Sequence, residues 1–153
     1  MRVTFPRLPD HERAYALVER DDGVVYRLYG GLAGPRLPHH IMRLVAEREL
    51  RISDGVWAGV AASVIPQPPC LRAELLADLV SSVAALETMT QDKIRRLARD
   101  KLAVLPAELA AGDVDPVAIA AAARAMQVEA ARWARLRVGE ELSYEWPSER
   151  TAG

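Results

Sequence analysis

Residues 15–29 read YALVERDDGVVYRLY, and this stretch decides the fold. In its first half Tyr15, Leu17 and Glu19 alternate with Ala16, Val18 and Arg20, and we interpret this half as a strand. Asp22-Gly23 then supplies the residues of a tight two-residue hairpin turn, in which both central positions need positive φ. Val24 to Tyr29 is rich in β-branched and aromatic residues and is predicted to return as the partner strand. The sequence therefore predicts an antiparallel hairpin near the N-terminus.

Two further strands are predicted near the ends of the sequence. Residues 1–5 are expected to add an edge strand to the hairpin, ended by Pro6. Residues 142–146 alternate apolar and polar side chains up to Pro147, which is typical of a short amphipathic strand. We expect this last strand to join the N-terminal sheet.

The remaining sequence predicts a mainly helical body of four to five helices. Apolar residues recur there at spacings of three and four, as they do along one face of a helix. The fold class is therefore α+β, with a small antiparallel sheet packed on helices. The predicted helices run from Pro38 to about Leu50, from a cap at Ser53 or Asp54 to Val64, along 71–86 and 94–105, and from Pro116 to about Val138.

One domain is predicted for residues 1–147, followed by a frayed tail at 148–153. The best candidate for a linker is the proline-rich break at 65–70. A boundary there would leave each half of the chain with a thin core, so one core is the better prediction for 153 residues.

Composition indicates a cytoplasmic protein. The formal net charge is −1, from 20 basic and 21 acidic residues, and such balance gives no field that draws in nucleic acid or an anionic membrane. A single cysteine, Cys70, excludes an internal disulfide and fits a reducing compartment. No apolar run approaches the roughly 20 residues that span a bilayer. We expect neither a nucleic-acid nor a membrane partner.

The start of the first predicted helix carries the most distinctive motif. Residues 38–47 read PHHIMRLVAE, between ALVERDDGVVYRLYG at 16–30 and RWARLRVGEELSYEWP at 132–147. With these three segments the chain resembles an uncharacterised bacterial family of actinobacterial type. In that family the helix typically reads P-H-D-x-x-H-x-x-x-E and precedes a helix rich in glycine and alanine. The resemblance implies a fold and no established activity.

The family pattern places two histidines four residues apart on one helical face, as metal ligands require. The corresponding residues here are His39 and Arg43, and an arginine has no lone pair for a cation. His40 points about 100° away from His39, and Glu47 lies about 12 Å further along the helix axis. We therefore predict no metal and no cofactor at this helix.

Two interpretations of the helix remain. In the simpler one, Arg43 and Glu47 form an ordinary helical ion pair and the histidines are polar residues beside a loop. In the other, His39, His40 and Glu47 are catalytic groups of a pocket, Arg43 binds an anionic substrate group and Trp57 forms the roof. The second predicts a small-molecule-binding protein or a metal-independent enzyme, and the sequence does not decide whether the protein is an enzyme.

A homodimeric, non-catalytic interaction module is the alternative function. The apolar stripes along 71–105 and the alanine-rich helix at 116–138 exceed what a small sheet can cover. A surplus apolar face of this kind usually marks a partner surface. We therefore expect a homodimer on this interpretation.

Overall fold

A computed structural model describes residues 1–62, 70–110, 112 and 114–147. It confirms an α+β fold in which strands from both ends of the described chain form one antiparallel sheet packed with helices. In chain order the elements are β1 (Arg2–Pro6), β2 (Arg13–Glu19), β3 (Val25–Leu32), α1 (His39–Leu50), α2 (Val56–Ala61), α3 (Leu71–Ala84), α4 (Gln91–Leu102), α5 (Ala107–Ala110), α6 (Pro116–Arg135) and β4 (Glu141–Glu145).

The sheet has the order β3-β2-β1-β4. The prediction that the first strand lies at an edge is therefore wrong. β4 pairs along the free side of β1 from Arg2↔Glu145 to Pro6↔Glu141, so β1 is an interior strand. The pairing extends beyond the strands, because the Arg7 amide donates to the Glu140 carbonyl (2.8 Å). The N-terminal strand is thereby held on both sides.

The β2–β3 hairpin is confirmed, but its turn is one residue longer than predicted. The Arg20 amide donates to the Val24 carbonyl (2.9 Å), which leaves three residues in the loop. Gly23 has φ of 84°, whereas Asp22 is not in the left-handed region. The Asp22 carboxylate instead accepts from the Val24 amide (3.2 Å) and pairs with Arg20 (2.8 Å). This arrangement fits a type I turn followed by a left-handed glycine.

The helices cover one face of the sheet. Phe5 lies where the two layers meet, with its ring edge-on to Trp57 and Tyr144 at centroid distances of 5.9 and 5.8 Å. α1 packs on α3 and α6, and α3 also packs on α6. The buried apolar residues of α3 and α6 therefore face each other, while Leu71, Val117 and Val128 on these helices stay exposed.

Several element boundaries differ from the prediction. The described residues form six helices, because the short α5 follows Pro106. α6 begins as predicted, with the Asp115 carboxylate accepting from the Val117 amide (2.9 Å), but it ends at Arg135. No described helix is both long and apolar enough to cross a membrane. The predicted end of the second helix at Val64, the prolines of the 65–70 break and the tail at 148–153 lie outside the described residues, apart from Cys70.

Candidate functional site

Glu47 caps the next helix. Its side chain is 3% exposed, and Oε2 accepts from the backbone amides of Trp57 (2.9 Å) and Ala58 (3.2 Å) at the start of α2. Those amides have no partner within the helix, so an acceptor there stabilises it. The predicted cap at Ser53 or Asp54 is therefore wrong, because a carboxylate from α1 takes that place.

The Glu47 carboxyl is also close against the backbone of α2. A Cβ at Gly55 would overlap its Cδ atom and lie 2.6 Å from Oε2. Burial raises the pKa of Glu47 to about 7, although the amides of Ala58 and Trp57 act in the opposite direction. The carboxyl is thus partly protonated at neutral pH and positions α2. It is not among the residues that line the cavity described below.

Arg43 links two helices. Its Nη2 donates to the Glu74 carboxylate on α3. The ion pair expected between Arg43 and Glu47 is therefore replaced by a pair between α1 and α3, because Glu47 turns toward α2. The Nε atom of Arg43 is buried and has no hydrogen-bond partner in the described part of the chain. Its guanidinium holds α1 against α3.

Trp57 anchors the start of α1. The side chain is fully buried, at 0% exposure, and Nε1 donates to the backbone carbonyl of His40 (2.9 Å). Its ring also meets the His40 ring edge-on at a centroid distance of 6.0 Å. Trp57 therefore holds the first turn of α1, which carries both histidines.

A cavity of about 410 Å³ lies beside the N-terminal turn of α1. Its wall combines the ends of β1, β2 and β3, the loop 33–38, the first turn of α1 and one side chain of α6. Of the five predicted site residues, His39 and His40 line the cavity. Arg43, Glu47 and Trp57 do not line it. The side chains that line it besides the histidines include Phe5, Tyr15, Leu32, Arg36, Leu37, Met42 and Trp133.

The loop that forms one wall is held by hydrogen bonds. Trp133 Nε1 donates to the Gly34 carbonyl (3.1 Å). The Ala33 amide donates to the Glu12 carbonyl (2.6 Å), and its own carbonyl accepts from the His11 amide (3.1 Å). The cavity is therefore preformed, as small-molecule sites usually are.

His40 is half-buried in the cavity wall. A Cβ at Gly30 would lie 2.9 Å from its Cδ2 and 3.3 Å from its Nε2, so this edge of the ring faces β3. Burial lowers the pKa of His40, the charge of Arg43 and a protonated His39 would lower it further, and the nearby Tyr29 backbone opposes them. The ring is thus neutral at neutral pH.

The two nitrogens of His40 have different surroundings. Nε2 lies beside β3, 3.3 Å from the position that a Cβ at Gly30 would occupy. Nδ1 is buried and has no hydrogen-bond partner within the described ranges. A buried polar nitrogen without a partner is uncommon in folded proteins.

His39 is more exposed and lies next to a network of charges. Partial burial lowers its pKa, as does Arg43, while the carboxylates of Glu74 and Asp78 act to raise it. Both carboxylates already have cationic partners, because Glu74 pairs with Arg43 and Asp78 with Lys101 (2.5 Å). His39 is therefore a neutral polar group at the mouth of the cavity.

Sequence reasoning missed two contributors to this cavity. Gly30 and Gly31 interrupt the apolar pattern of the sequence, yet they continue β3, where the pairing with β2 shifts register between Arg13 and Tyr15. Their glycine content was a visible signal, since glycine within a strand often marks a bulge or a close approach. Trp133 carried no comparable signal, because it enters the wall from α6, far along the chain.

Metal binding and similarity to known proteins give no further assignment. Across the ranges that the structure describes, no three His, Cys, Asp or Glu side chains converge as a metal site would need. Comparison with protein-family models, curated protein sequences and solved structures finds no match for this chain. The resemblance of the 38–47 motif to a bacterial family stays a prediction.

Proposed function

We propose that the protein binds a small organic molecule in the cavity beside α1, with His39 and His40 as polar contacts. One observation carries this proposal: a preformed, mostly apolar cavity of about 410 Å³ whose wall residue His40 has a buried imidazole nitrogen with no partner among the described residues. Drug-sized ligands occupy cavities of roughly 300–1,000 Å³ with few polar groups. The volume and the lining both fit that class.

The same histidine supports metal-independent chemistry. A neutral imidazole has a nitrogen that can accept a proton, as a general base does. The proposal therefore includes turnover of the bound molecule, with His40 as the acid–base group. Arg43, Glu47 and Trp57 act behind it by holding α1, α2 and the His40 carbonyl.

Protein-detected NMR tests the binding. The chain has three tryptophans, so its proton–nitrogen spectrum contains three indole signals. Titration with phenylnaphthylamine, a neutral apolar molecule, should shift the indole signal of Trp133 and the backbone amides of Gly30, Gly31 and Gly34. The indole of Trp146, outside the cavity wall, is the internal control. No shift, or a shift of Trp146 in place of Trp133, contradicts the proposal.

A double variant tests the histidines. Replacing His39 and His40 together by Ala should weaken phenylnaphthylamine binding at least tenfold and leave the melting temperature nearly unchanged. A collapse of thermal stability would show instead that the two side chains are structural. Retained binding with retained stability would remove them from the site.

A homodimer through β3 is the second candidate. β3 forms one end of the sheet, and three of its apolar side chains are exposed: Val25 at 58%, Tyr29 at 45% and Leu32 at 71%. An exposed strand edge readily pairs with another strand. Light scattering should then show a dimer that Val25→Lys converts to a monomer. A wild-type monomer at high concentration contradicts this candidate.

The cellular setting also remains a proposal. Charge balance and the single cysteine support a cytoplasmic protein that binds neither nucleic acid nor membranes.

A further inference from the structure

We propose that the molecule bound in this cavity is an organic acid, an apolar body with one anionic group, and that Arg36 binds the anionic group at the cavity mouth. The inference rests on the proposed function and names the ligand class of that site. It differs from the sequence-based prediction, in which Arg43 had this role.

The charges of the cavity wall disfavour a cationic ligand. The described residues that line the cavity include Arg36, His39 and His40 but no aspartate or glutamate. A site without carboxylates favours a neutral or an anionic ligand over a cation, because opposite charges attract and like charges repel across a binding surface. The cavity wall therefore disfavours the binding of protonated amines.

Arg36 is the residue of the cavity wall that is placed to bind an anionic group. Its side chain is exposed at the loop that forms the mouth of the cavity, and it has neither an ion-pair nor a hydrogen-bond partner among residues 1–62, 70–110, 112 and 114–147. By contrast, Arg43 is held by Glu74 on α3 and does not line the cavity. Arg36 is thus the wall guanidinium that is available to a ligand.

The two acidic groups whose charges reach His39 are already paired. These are Glu74 and Asp78, which are bound by Arg43 and Lys101. They do not compete for Arg36. A guanidinium with open donors binds a carboxylate or sulfonate in a planar, two-pronged geometry, and such charge-assisted bonds are the strong ones.

The two ends of the cavity then have different roles. An anionic group binds at the exposed mouth, where it keeps part of its hydration and avoids the large cost of burying a charge. The apolar body enters between Phe5, Leu37, Met42 and Trp133, and leaves water as it does so.

A matched pair of molecules tests the charge preference. Anilinonaphthalene sulfonate and phenylnaphthylamine share one aromatic skeleton and differ by the sulfonate. Titrations followed through the Trp133 indole signal should show the sulfonate binding about tenfold more tightly to the wild-type protein. Arg36→Gln should abolish that preference. Arg99→Gln, on the exposed face of α4, is the control and should keep the preference.

The outcomes separate the two proposals. If phenylnaphthylamine shifts Trp133 but the sulfonate binds no better, or if Arg36→Gln keeps the preference, the small-molecule site stands and the organic-acid inference is overturned. If neither molecule shifts Trp133, the proposed function is overturned and this inference with it. Added salt supplies a second test. Sodium chloride should weaken the binding of anilinonaphthalene sulfonate and leave the binding of phenylnaphthylamine unchanged.

Discussion

Glu47→Gln should flatten the dependence of stability on pH. In the folded protein the pKa of Glu47 is raised from 4.5 to about 7 by burial. A raised carboxyl pKa means that the folded state binds the proton more tightly than the unfolded chain. The contribution of Glu47 to stability is then fully present below about pH 4.5 and is lost as the pH rises toward and through 7.

The size of the effect follows from the two pKa values. They differ by about 2.5, which corresponds to about 3 kcal/mol at about 1.4 kcal/mol for each pH unit. Between about pH 5 and pH 8, most of this difference develops, so wild-type stability should fall by about 2 to 3 kcal/mol more than that of the glutamine variant. The glutamine side chain cannot ionise, while its carbonyl still accepts from an α2 amide.

Urea unfolding followed by circular dichroism at several pH values measures this. Glu49→Gln is the matched control, because Glu49 is on the same helix but exposed, where it pairs with Arg48 (3.1 Å). The control should keep the wild-type slope of unfolding free energy against pH, and Glu47→Gln should lose it. If the free-energy difference between wild type and Glu47→Gln is the same at all pH values, Glu47 does not titrate as a buried cap.

Two further predictions use matched glycines. In Gly55→Ala the new Cβ overlaps the carboxyl that caps α2, so the free energy of unfolding measured by chemical denaturation should fall by about 1–3 kcal/mol. Gly59→Ala has open space around its Cβ, so this change should be neutral or should stabilise the helix by up to about 1 kcal/mol. Equal effects of the two changes would contradict the packing described at Gly55. Gly30→Ala places a Cβ 2.9 Å from the imidazole of His40, so it should displace that ring and weaken phenylnaphthylamine binding several-fold, while Gly31→Ala meets nothing within 4 Å. Unchanged affinity in the Gly30 variant would show that the ring is not held there.

Local signals predicted the strands better than their order. The hairpin at β2–β3 and the strand β4 carry alternation that is visible in a few residues. The position of β1 in the sheet is decided by β4, whose Glu145 pairs with Arg2 across nearly the whole chain, and no local pattern encodes that choice. The hairpin turn was misjudged because the Asp22 side chain bonds its own loop.

The site was predicted only in part, because several of its contacts also join distant segments of the chain. His39 and His40 stand out in sequence, and the structure places both in the cavity wall. The partners of Glu47 and Arg43 could not be predicted, because they lie on α2 and α3 and depend on how those helices pack. Arg36 was not singled out, since a loop arginine becomes informative only when its missing partner and the cavity are seen together.

A crystal structure of the protein with anilinonaphthalene sulfonate tests the central claim most directly. The aromatic rings should lie between Trp133 and Leu37 with the His40 ring beside them, and the sulfonate should lie within hydrogen-bond distance of Arg36. A structure in which the rings bind elsewhere, while Leu37 and Met42 close the space in front of His40, would contradict a ligand site beside α1.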